Sequence, residues 1–402
     1  MLLNRDRAEE KMAEHGLEAL ISSSPANVFY TSDTYPYGNC YSLIPLEKET
    51  ESGLVAPVSG PAPVILMSPT WIGDVRYYGE FYVVTQFAEE PLDEQERALK
   101  RAQESWEESK ASDPAKVLAE MLQERGFVGG NVGVDEAYKS HDPGFWERVK
   151  TEVPDLEEIP AGGILKEVRM VKTDEEVRRM HEAVRFTEKA WNAALESVSV
   201  GTTEAEFCDV YQRTILSEGG NHLPHGIYWP PIGFGRRCAF PDIAKPADYV
   251  IQPGDVIRLD GGCMVDGYGC DIARTAVYKE SNERLDTYWK AIFMGEQEAI
   301  AMVEPGVDVS KIFKRAMETV RGNGIPHYMR HHTGHGWGIE GYDPPLVSPK
   351  NHTLLEEGMV ICIETPYYEV GWGGLLHEDK IVVSDSGCRF LSTHEDEMRV
   401  VG

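Results

Sequence analysis

The apolar and polar positions in roughly the first 150 residues alternate between the spacing of helices and that of short strands. The pattern predicts an amphipathic helix over 4–15, a buried strand over 17–22, strands over 62–69 and 80–87, a capped helix over 111–127 and a strand over 131–137. Alternating strands and helices of this kind are typical of a small α/β domain.

The pattern changes near residues 158–177, where Pro160 and a glycine pair interrupt it. Thr173 stands three residues before Glu176, the spacing of a capping box that begins a helix. Beyond this point the pattern predicts β-rich chain from 227 onward and helices at about 173–197, 203–218, 283–303 and 308–323. At 402 residues the chain exceeds the size of one core, and we expect two domains, 1–160 and 161–402.

Composition and charge exclude several classes of partner. Asp and Glu total 67 against 39 Lys and Arg, a net charge of −28, so we expect a surface that binds neither nucleic acid nor membrane. No apolar run approaches the roughly 20 residues of a membrane helix, and the N-terminus is charged where a signal peptide is apolar, so we expect a cytoplasmic protein. The seven cysteines are scattered without a CxxC pair, which is typical of reduced thiols.

Two aspartates lie in the segment VIRLDGGCMVDGYGCDIARTAVY, residues 256–278. The Asp-Gly pair at 266–267 predicts a two-residue hairpin turn, which places Asp260 opposite Ala273. Asp271 then projects from the same face as a diagonal neighbour of Asp260, with Cα atoms roughly 7–8 Å apart. Solvated strand aspartates are the alternative, but the flanking runs are core-like and an unpaired charge there is costly, which favours metal ligation.

A second pair of carboxylates lies in GMVICIETPYYEVGWGGLLHEDKIVV, residues 358–383. Two strand-like runs flank a glycine-rich connection, and a turn centred on Gly371 places Glu364 directly opposite Glu378. Two alternatives stay open here. Glu364 could be a buried structural acid, which would need its own cation, and Glu378 with Asp379 could belong to a solvated strand edge.

The segment HHTGHGWGIEGYDPP, residues 331–345, combines three histidines with four glycines. The flanking glycines disfavour a helix and would let a metal ion approach His335 closely. Four carboxylates and one imidazole, without thiolate, suit manganese, iron, cobalt or zinc better than they suit a structural zinc site. Two such ions sharing bridging carboxylates lower the pKa of a water and polarise a carbonyl, which is the chemistry of amide hydrolysis.

The order Asp, Asp, His, Glu, Glu in LDGGCMVDGYGCDIART, HTGHGWG, GMVICIETPYY and HEDKIVV resembles that of the pita-bread metallopeptidases, a family that includes Xaa-Pro dipeptidases, aminopeptidase P, methionine aminopeptidase and the metal-free creatinase. RMVKTDEEVRRMHEAVRFTEKA resembles the first helix of the family's catalytic domain, and LEALISSSPANVFYTSD resembles the creatinase/prolidase-type N-terminal domain. The resemblance covers nearly the whole chain. It implies an α/β (α+β) fold in which a smaller creatinase-type α/β domain precedes a pita-bread catalytic domain.

The resemblance also implies roles for individual residues. The metal ligands would be Asp260 on one ion, Asp271 and Glu378 as bridges, and His335 with Glu364 on the second ion. Glu364 and His331 are the candidate catalytic residues for proton transfer, because His331 matches the family's histidine near the reaction centre. A loop histidine without a role is the alternative for His331, and His332 has no family counterpart.

Three substrate-handling positions depart from the family pattern. Proline-cleaving members carry histidine at the positions of Asp242 and Tyr342, and arginine at that of Leu376. Loss of an arginine and gain of an acid suggest a pocket less suited to a peptide carboxylate. The candidate substrate-binding residues are Asp242, Trp337, Tyr342 and His377, with Trp229 and Trp372 as further candidates for holding a cationic group. Packing in the core is the alternative for the aromatic side chains.

We expect a hydrolase that uses two divalent metal ions to cleave a C–N amide bond in a small substrate. The substrate would be a dipeptide, Xaa-Pro-like or otherwise, or a non-peptide amide, as in the related ectoine hydrolase. A lyase of the same superfamily that acts on dimethylsulfoniopropionate is the alternative from a different class, and five intact ligands argue against a non-enzymatic binding module. Relatives with this two-domain layout are commonly homodimers, which implies a homodimer here.

Overall fold

Contacts divide the chain into two units, Met1–Arg169 and Met170–Gly402. The structure is a computed structural model, and it describes residues 1–59, 63–67, 69–80, 85–221, 231–241, 243 and 245–402. None of the helices in these ranges is long and apolar enough to span a membrane.

The first unit combines one sheet with short helices. Its strands are β1 Ala19–Ser22, β2 Tyr41–Pro45, β3 Gly53–Pro57, β4 Asp74–Tyr78, β5 Gly129–Val134 and β6 Asp155–Pro160. Its helices are α1 Arg5–Glu14, α2 Pro25–Ser32, α3 Glu94–Ser109, α4 Pro114–Glu124, α5 Tyr138–His141, α6 Phe145–Glu152 and α7 Gly162–Met170. The strand order is β4-β3-β2-β1-β5-β6, with β1 antiparallel to β2 and parallel to β5. This is the α/β domain that the alternating pattern predicts.

The structure disagrees with part of the strand prediction for this unit. The prediction of a strand over 62–69 is wrong for 63–67, which form a π-helical turn. A short apolar run fits either a buried strand or a buried helical turn, so periodicity alone does not separate them. Half of the strand predicted over 80–87 lies outside the described part of the chain, and the described residues, 80 and 85–87, are not in a strand.

The second unit contains a larger sheet flanked by two pairs of helices. Its strands are β7 Ile232–Phe234, β8 Val256–Gly261, β9 Met264–Val265, β10 Tyr268–Gly269, β11 Ile272–Tyr278, β12 Gly334–Gly336, β13 Asp343–Leu346, β14 Val360–Glu364, β15 Tyr367–Glu369, β16 Gly373–Leu375, β17 Glu378–Ser384, β18 Gly387–Phe390 and β19 Arg399–Val401. Its helices are α8 Asp174–Glu196, α9 Glu204–Glu218, α10 Glu283–Ile300 and α11 Val309–Gly322, with a 3-10 turn over Gly235–Ala239.

The sheet of the second unit runs β13-β12-β14-β17-β11-β8-β7, and β18 and β19 pair with β17 and β11. Helices α8 and α9 pack with β7, β8 and β11 around Trp191 and Phe207. Helices α10 and α11 pack on β14 and β17 around Ile312 and Ile363. Both helix pairs cover one face of the sheet, which leaves the opposite face to carry the polar side chains described below.

The register of the central strands confirms the two pairings predicted from the sequence. Asp260 on β8 pairs with Ala273 on β11, and Glu364 on β14 pairs with Glu378 on β17. The turn at 266–267 has positive φ at both residues, 46° and 84°, which is the backbone that an Asp-Gly hairpin turn requires.

Candidate functional site

Sheet register brings the five predicted metal ligands to one face of the sheet. Ala273 pairs with Asp260 on one side and with Glu378 on the other, so these three side chains project from the same face. Asp271 lies two positions before Ala273 and keeps this orientation. On the other side of β17, the pairing of Glu364 with Glu378 and of His335 with Cys362 adds the remaining two ligands.

Three of these side chains form the centre of the cluster. His335 Nε2 lies 3.9 Å from Asp271 Oδ2 and 3.9 Å from Glu378 Oε1. One ligand atom from each of the three residues lies within 4.8 Å of the other two. His335 and Glu378 are buried and Asp271 is partly buried, so the atoms converge on a small, largely water-excluded space.

Glu364 is held at the edge of this cluster by two basic side chains. His332 Nε2 lies 2.6 Å from Glu364 Oε1, and Arg330 reaches to 3.7 Å from Glu364 Oε2. Burial alone would raise the pKa of Glu364, but the hydrogen bond from His332 and the charge of Arg330 outweigh it and lower the pKa. Glu364 is therefore the carboxylate of this cluster whose ionised form the protein itself supports.

The other carboxylates repel one another. Burial, followed by the charge of Asp260, raises the pKa of Asp271 well above its usual value. Burial, followed by the charges of Asp271 and Glu364, raises the pKa of Glu378 in the same way. Four buried or partly buried acids this close together are costly, and Arg330 and Lys380 balance only part of their charge, so the cluster favours proton uptake or the binding of cations.

The donor set fits divalent metal ions. Glu378 Oε1 is buried and has no hydrogen-bond partner within the described part of the chain, which leaves an acceptor 3.9 Å from His335 Nε2. Burial lowers the pKa of His335 to about 4, so its imidazole is neutral at physiological pH and offers a lone pair. Carboxylate oxygens with one imidazole suit first-row divalent ions.

Glycines beside His335 are explained by close backbone contact. Gly334 has φ +155°, and a Cβ built there would lie 2.3 Å from the Cys362 carbonyl oxygen. A Cβ built on Gly336 would lie 2.3 Å from the Pro344 carbonyl oxygen. Side chains are excluded on both sides of His335 because β12 is sandwiched between two neighbouring segments, and this fixes where the imidazole projects.

Two of the four predicted substrate-binding residues adjoin His335. The Tyr342 ring stacks on the imidazole with ring centroids 4.1 Å apart, and its side chain is largely exposed. Trp337 is buried, with its ring centroid 5.6 Å from that of His335. His331 is exposed and packs edge-on against His332, 4.2 Å between centroids. An exposed imidazole and an exposed phenol thus stand beside the cluster.

Of the other two, His377 points away from the cluster and Asp242 lies outside the described residues. His377 is next to Glu378 on β17, so strand alternation directs its side chain to the helix-covered face, where it meets Glu296. Trp229 also lies outside the described residues. Trp372 packs against Tyr288 and beneath the guanidinium of Arg284, so its side chain has a packing role.

Sequence reasoning missed a buried lysine beside the cluster. Lys380 is fully buried, its Nζ donates to the Gly269 carbonyl at 3.3 Å and lies 4.7 Å from the Trp337 ring centroid. Burial lowers its pKa, while the neighbouring thiols and the acids Asp271 and Glu378 oppose that shift. Its position two residues after Glu378 on a strand was the available signal, because residues at that spacing share a face.

Family models match both parts of the chain. The model of metallopeptidase family M24 matches residues 178–385, and that of the Creatinase/Prolidase N-terminal domain matches residues 5–171. An Xaa-Pro dipeptidase from Pyrococcus furiosus is 29% identical over 235 residues, 58% of this chain and 66% of that protein. An Xaa-Pro dipeptidase from Pyrococcus horikoshii is 28% identical over 255 residues, 63% of this chain and 72% of that protein.

Solved structures share the fold over nearly the whole length. The X-Pro aminopeptidase from Thermotoga maritima MSB8 matches with a TM-score of 0.76 at 22% identity, covering 99% of both chains. The prolidase from Pyrococcus horikoshii OT3 matches with a TM-score of 0.72 at 22% identity, covering 98% of this chain and 99% of that one. At this level of identity the likeness shows the fold alone.

Proposed function

The chain belongs to metallopeptidase family M24, and from the geometry of its carboxylate–histidine cluster we propose that it hydrolyses a C–N amide bond in a small substrate with the help of two divalent metal ions. The observation that carries this proposal is the convergence of Asp271, His335 and Glu378 within 4.8 Å on one face of the sheet. The chain's likeness to two Xaa-Pro dipeptidases supports a dipeptide as the substrate class.

The five donors supply enough ligand atoms for two ions. Asp260, Asp271, His335, Glu364 and Glu378 would hold these ions. When bound, such ions polarise the scissile carbonyl and lower the pKa of a water to near neutrality. The chain's own contribution is to hold the donors in a buried, fixed arrangement, with His335 neutral and Glu364 ionised.

Two residues of the chain are positioned to move the proton. Glu364, which its basic neighbours keep ionised and so free to take up a proton, would accept one from the attacking water as the water oxygen bonds to the carbonyl carbon. His331 is exposed beside the cluster, and burial, His332 and Arg330 lower its pKa, so its neutral ring would relay the proton from Glu364 to the leaving nitrogen as the C–N bond breaks. The products are a carboxylic acid and an amine.

The residues around the cluster differ from those of proline-cleaving relatives. Tyr342 stacks on His335 at the position where those relatives carry histidine, and Leu376, fully buried, stands where they carry arginine. Loss of this arginine weakens the case for a prolyl dipeptide whose carboxylate an arginine would hold. We therefore extend the substrate class to small non-prolyl dipeptides and to non-peptide C–N substrates such as the cyclic amidine ectoine.

The proposal is tested by turnover of a defined substrate panel. Purified protein loaded in separate samples with Mn, Co or Zn is incubated with Xaa-Pro dipeptides, non-prolyl dipeptides, ectoine and dimethylsulfoniopropionate, and products are identified by mass spectrometry. Hydrolysis of an amide by the wild type, lost in Asp271→Asn, supports the proposal. Elimination from dimethylsulfoniopropionate without amide hydrolysis would replace it with lyase chemistry, and no turnover of any compound would reject this substrate range.

Assembly and location stay predictions. The homodimer expected from the resemblance is checked by light scattering of the full chain. A monomer at micromolar concentration would refute it. The cytoplasmic location expected from the N-terminal sequence is checked by fractionation of the source cells.

A further inference from the structure

A second cluster of acidic and imidazole side chains lies on the helix-covered face of the catalytic sheet. Glu296 on α10 meets His377, which directly precedes β17, and Asp379 on β17; these two flank Glu378, which points to the opposite face. All three side chains are buried, with relative exposures of 0%, 2% and 0%. One ligand atom from each lies within 4.8 Å of the other two.

Each of these residues uses one polar atom and leaves another without a partner. His377 Nδ1 lies 2.9 Å from Glu296 Oε2, and Asp379 Oδ1 accepts a 2.8 Å hydrogen bond from Arg274. Glu296 Oε1, His377 Nε2 and Asp379 Oδ2 are buried and have no hydrogen-bond partner among the described residues. Three unsatisfied polar atoms in one buried place are unusual, because each costs about 1–3 kcal/mol.

The contact between His377 and Glu296 prepares the imidazole as a ligand. When Nδ1 donates its proton to the carboxylate, Nε2 carries the lone pair. Histidines that bind metal ions commonly donate their other N–H to a carboxylate or carbonyl in this way.

Charge on this side of the sheet is unbalanced. Arg274 is the guanidinium that pairs with Asp379, and it is shared with Glu188, 3.7 Å away. Glu296 adds a third carboxylate near the same guanidinium. Three acids share one guanidinium, and although burial lowers the pKa of His377, Glu296 and Asp379 raise it, so the imidazolium balances part of this charge; a divalent ion would supply the positive charge in its place.

His394 lies at the solvent-exposed edge of this cluster and offers a further nitrogen ligand. Its Nδ1 lies 3.9 Å from Asp379 Oδ2, and its side chain is 45% exposed. The imidazole therefore stands between solvent and the buried acids.

We propose that Glu296, His377, Asp379 and His394 form a second divalent metal site, distinct from the catalytic cluster and on the opposite face of β17. Two imidazoles and two carboxylates are the ligands that zinc and cobalt accept in a four-coordinate site. An ion there ties α10 to the strand that carries Glu378, so its role is structural. The site uses none of the residues proposed for catalysis, so it can be tested independently of the proposed function.

Metal content of the full chain tests the site. The protein is stripped with a chelator, loaded with zinc and passed through a desalting column, and bound zinc per chain is measured by mass spectrometry. We expect His377→Leu to bind one zinc fewer than the wild type, whereas Asp271→Asn loses zinc from the catalytic cluster and keeps this one. Equal zinc content in His377→Leu and the wild type overturns the proposal and leaves a protonated His377 paired with Glu296.

A surface variant covers the case in which His377→Leu does not fold. His394→Gln changes a half-exposed side chain, and His352→Gln is a matched control, because His352 is exposed and contacts Asp308. In cobalt-loaded protein we expect His394→Gln to alter the visible absorption spectrum and to weaken one cobalt about tenfold or more. A spectrum and cobalt affinity identical to those of the wild type and the His352 control would also refute the site.

Discussion

His332 Nε2 lies 2.6 Å from Glu364 Oε1 and joins the histidine-rich segment to the end of β14. His332 is the histidine without a counterpart in the family pattern, yet it is buried and contacts a proposed metal ligand directly. Such a close contact with a polar side chain restricts the orientation of the carboxylate before any ion binds. His332 is therefore a positioning residue for Glu364.

Replacing His332 by leucine is expected to weaken metal binding about 10- to 100-fold, because Glu364 loses its 2.6 Å contact with His332 Nε2. The loss also raises the pKa of Glu364, since burial then acts with less opposition. Metal affinity is measured by competition with a chromophoric chelator. His352→Gln serves as the histidine control, and a wild-type affinity in His332→Leu would show that Glu364 is oriented by Arg330 alone.

Tyr342 is expected to set the preference between prolyl and non-prolyl substrates. Its ring stacks on His335, and histidine occupies this position in proline-cleaving relatives. Tyr342→His is expected to raise kcat/KM for Xaa-Pro dipeptides several-fold relative to non-prolyl dipeptides, consistent with about 1 kcal/mol for one gained hydrogen bond. Tyr342→Phe keeps the ring and tests the hydroxyl, and an unchanged ratio of the two substrates in Tyr342→His would remove position 342 from specificity.

Local sequence signals account for the part of the site that was predicted from the chain. The turn at 266–267 fixes the register of its own hairpin, so the shared face of Asp260 and Asp271 follows from the period of a strand. The pairing of Glu364 with Glu378 follows in the same way from two strands and the loop between them.

The residues that were missed or misplaced depend on long-range contacts. The contact of His332 with Glu364 requires β12 to lie beside β14, a pairing that no local turn dictates. Lys380 and His377 project from opposite faces of the sheet. The helices that cover one face determine that His377 contacts Glu296 there, while Lys380 lies on the face with the proposed metal ligands. The strand prediction over 63–67 was wrong for a different reason. This apolar run is too short for its periodicity to separate a strand from a helical turn.

Removing metal is expected to destabilise the chain more at high pH than at low pH. The pKa values of Asp271 and Glu378 are raised in the folded, metal-free chain, so their contribution favours folding at low pH and is lost as pH rises and both acids ionise. Protons also compete with metal for these ligands. The gain in Tm on adding manganese to chelator-treated protein is therefore expected to be larger at pH 8 than at pH 5, and an equal gain at both would contradict the proposed ligands.

Glu176, at the start of α8, is expected to make the catalytic unit less stable as pH rises. Burial raises the pKa of Glu176 from 4.5 to about 7, although Tyr268 donates a 2.9 Å hydrogen bond to its carboxylate and Lys172 opposes the shift. An acid with a higher pKa in the folded chain binds its proton more tightly there, so stability is greatest below pH 4.5, falls between 4.5 and about 7, and is level above. The full shift corresponds to on the order of 3 kcal/mol.

Glu176→Gln is accordingly expected to raise the free energy of unfolding by on the order of 1–3 kcal/mol at pH 8 and by less than about 1 kcal/mol at pH 5. Glutamine serves equally well in the capping box with Thr173, so the helix start is preserved. The neighbouring Glu175→Gln is the control of opposite sign, because hydrogen bonds from Arg178 and Arg179 lower the pKa of Glu175 to about 2, and its contribution is present above pH 4.5. Urea titrations of both variants and the wild type at the two pH values measure these differences, and a Glu176→Gln effect that does not change with pH would show that Glu176 is ionised in the folded chain.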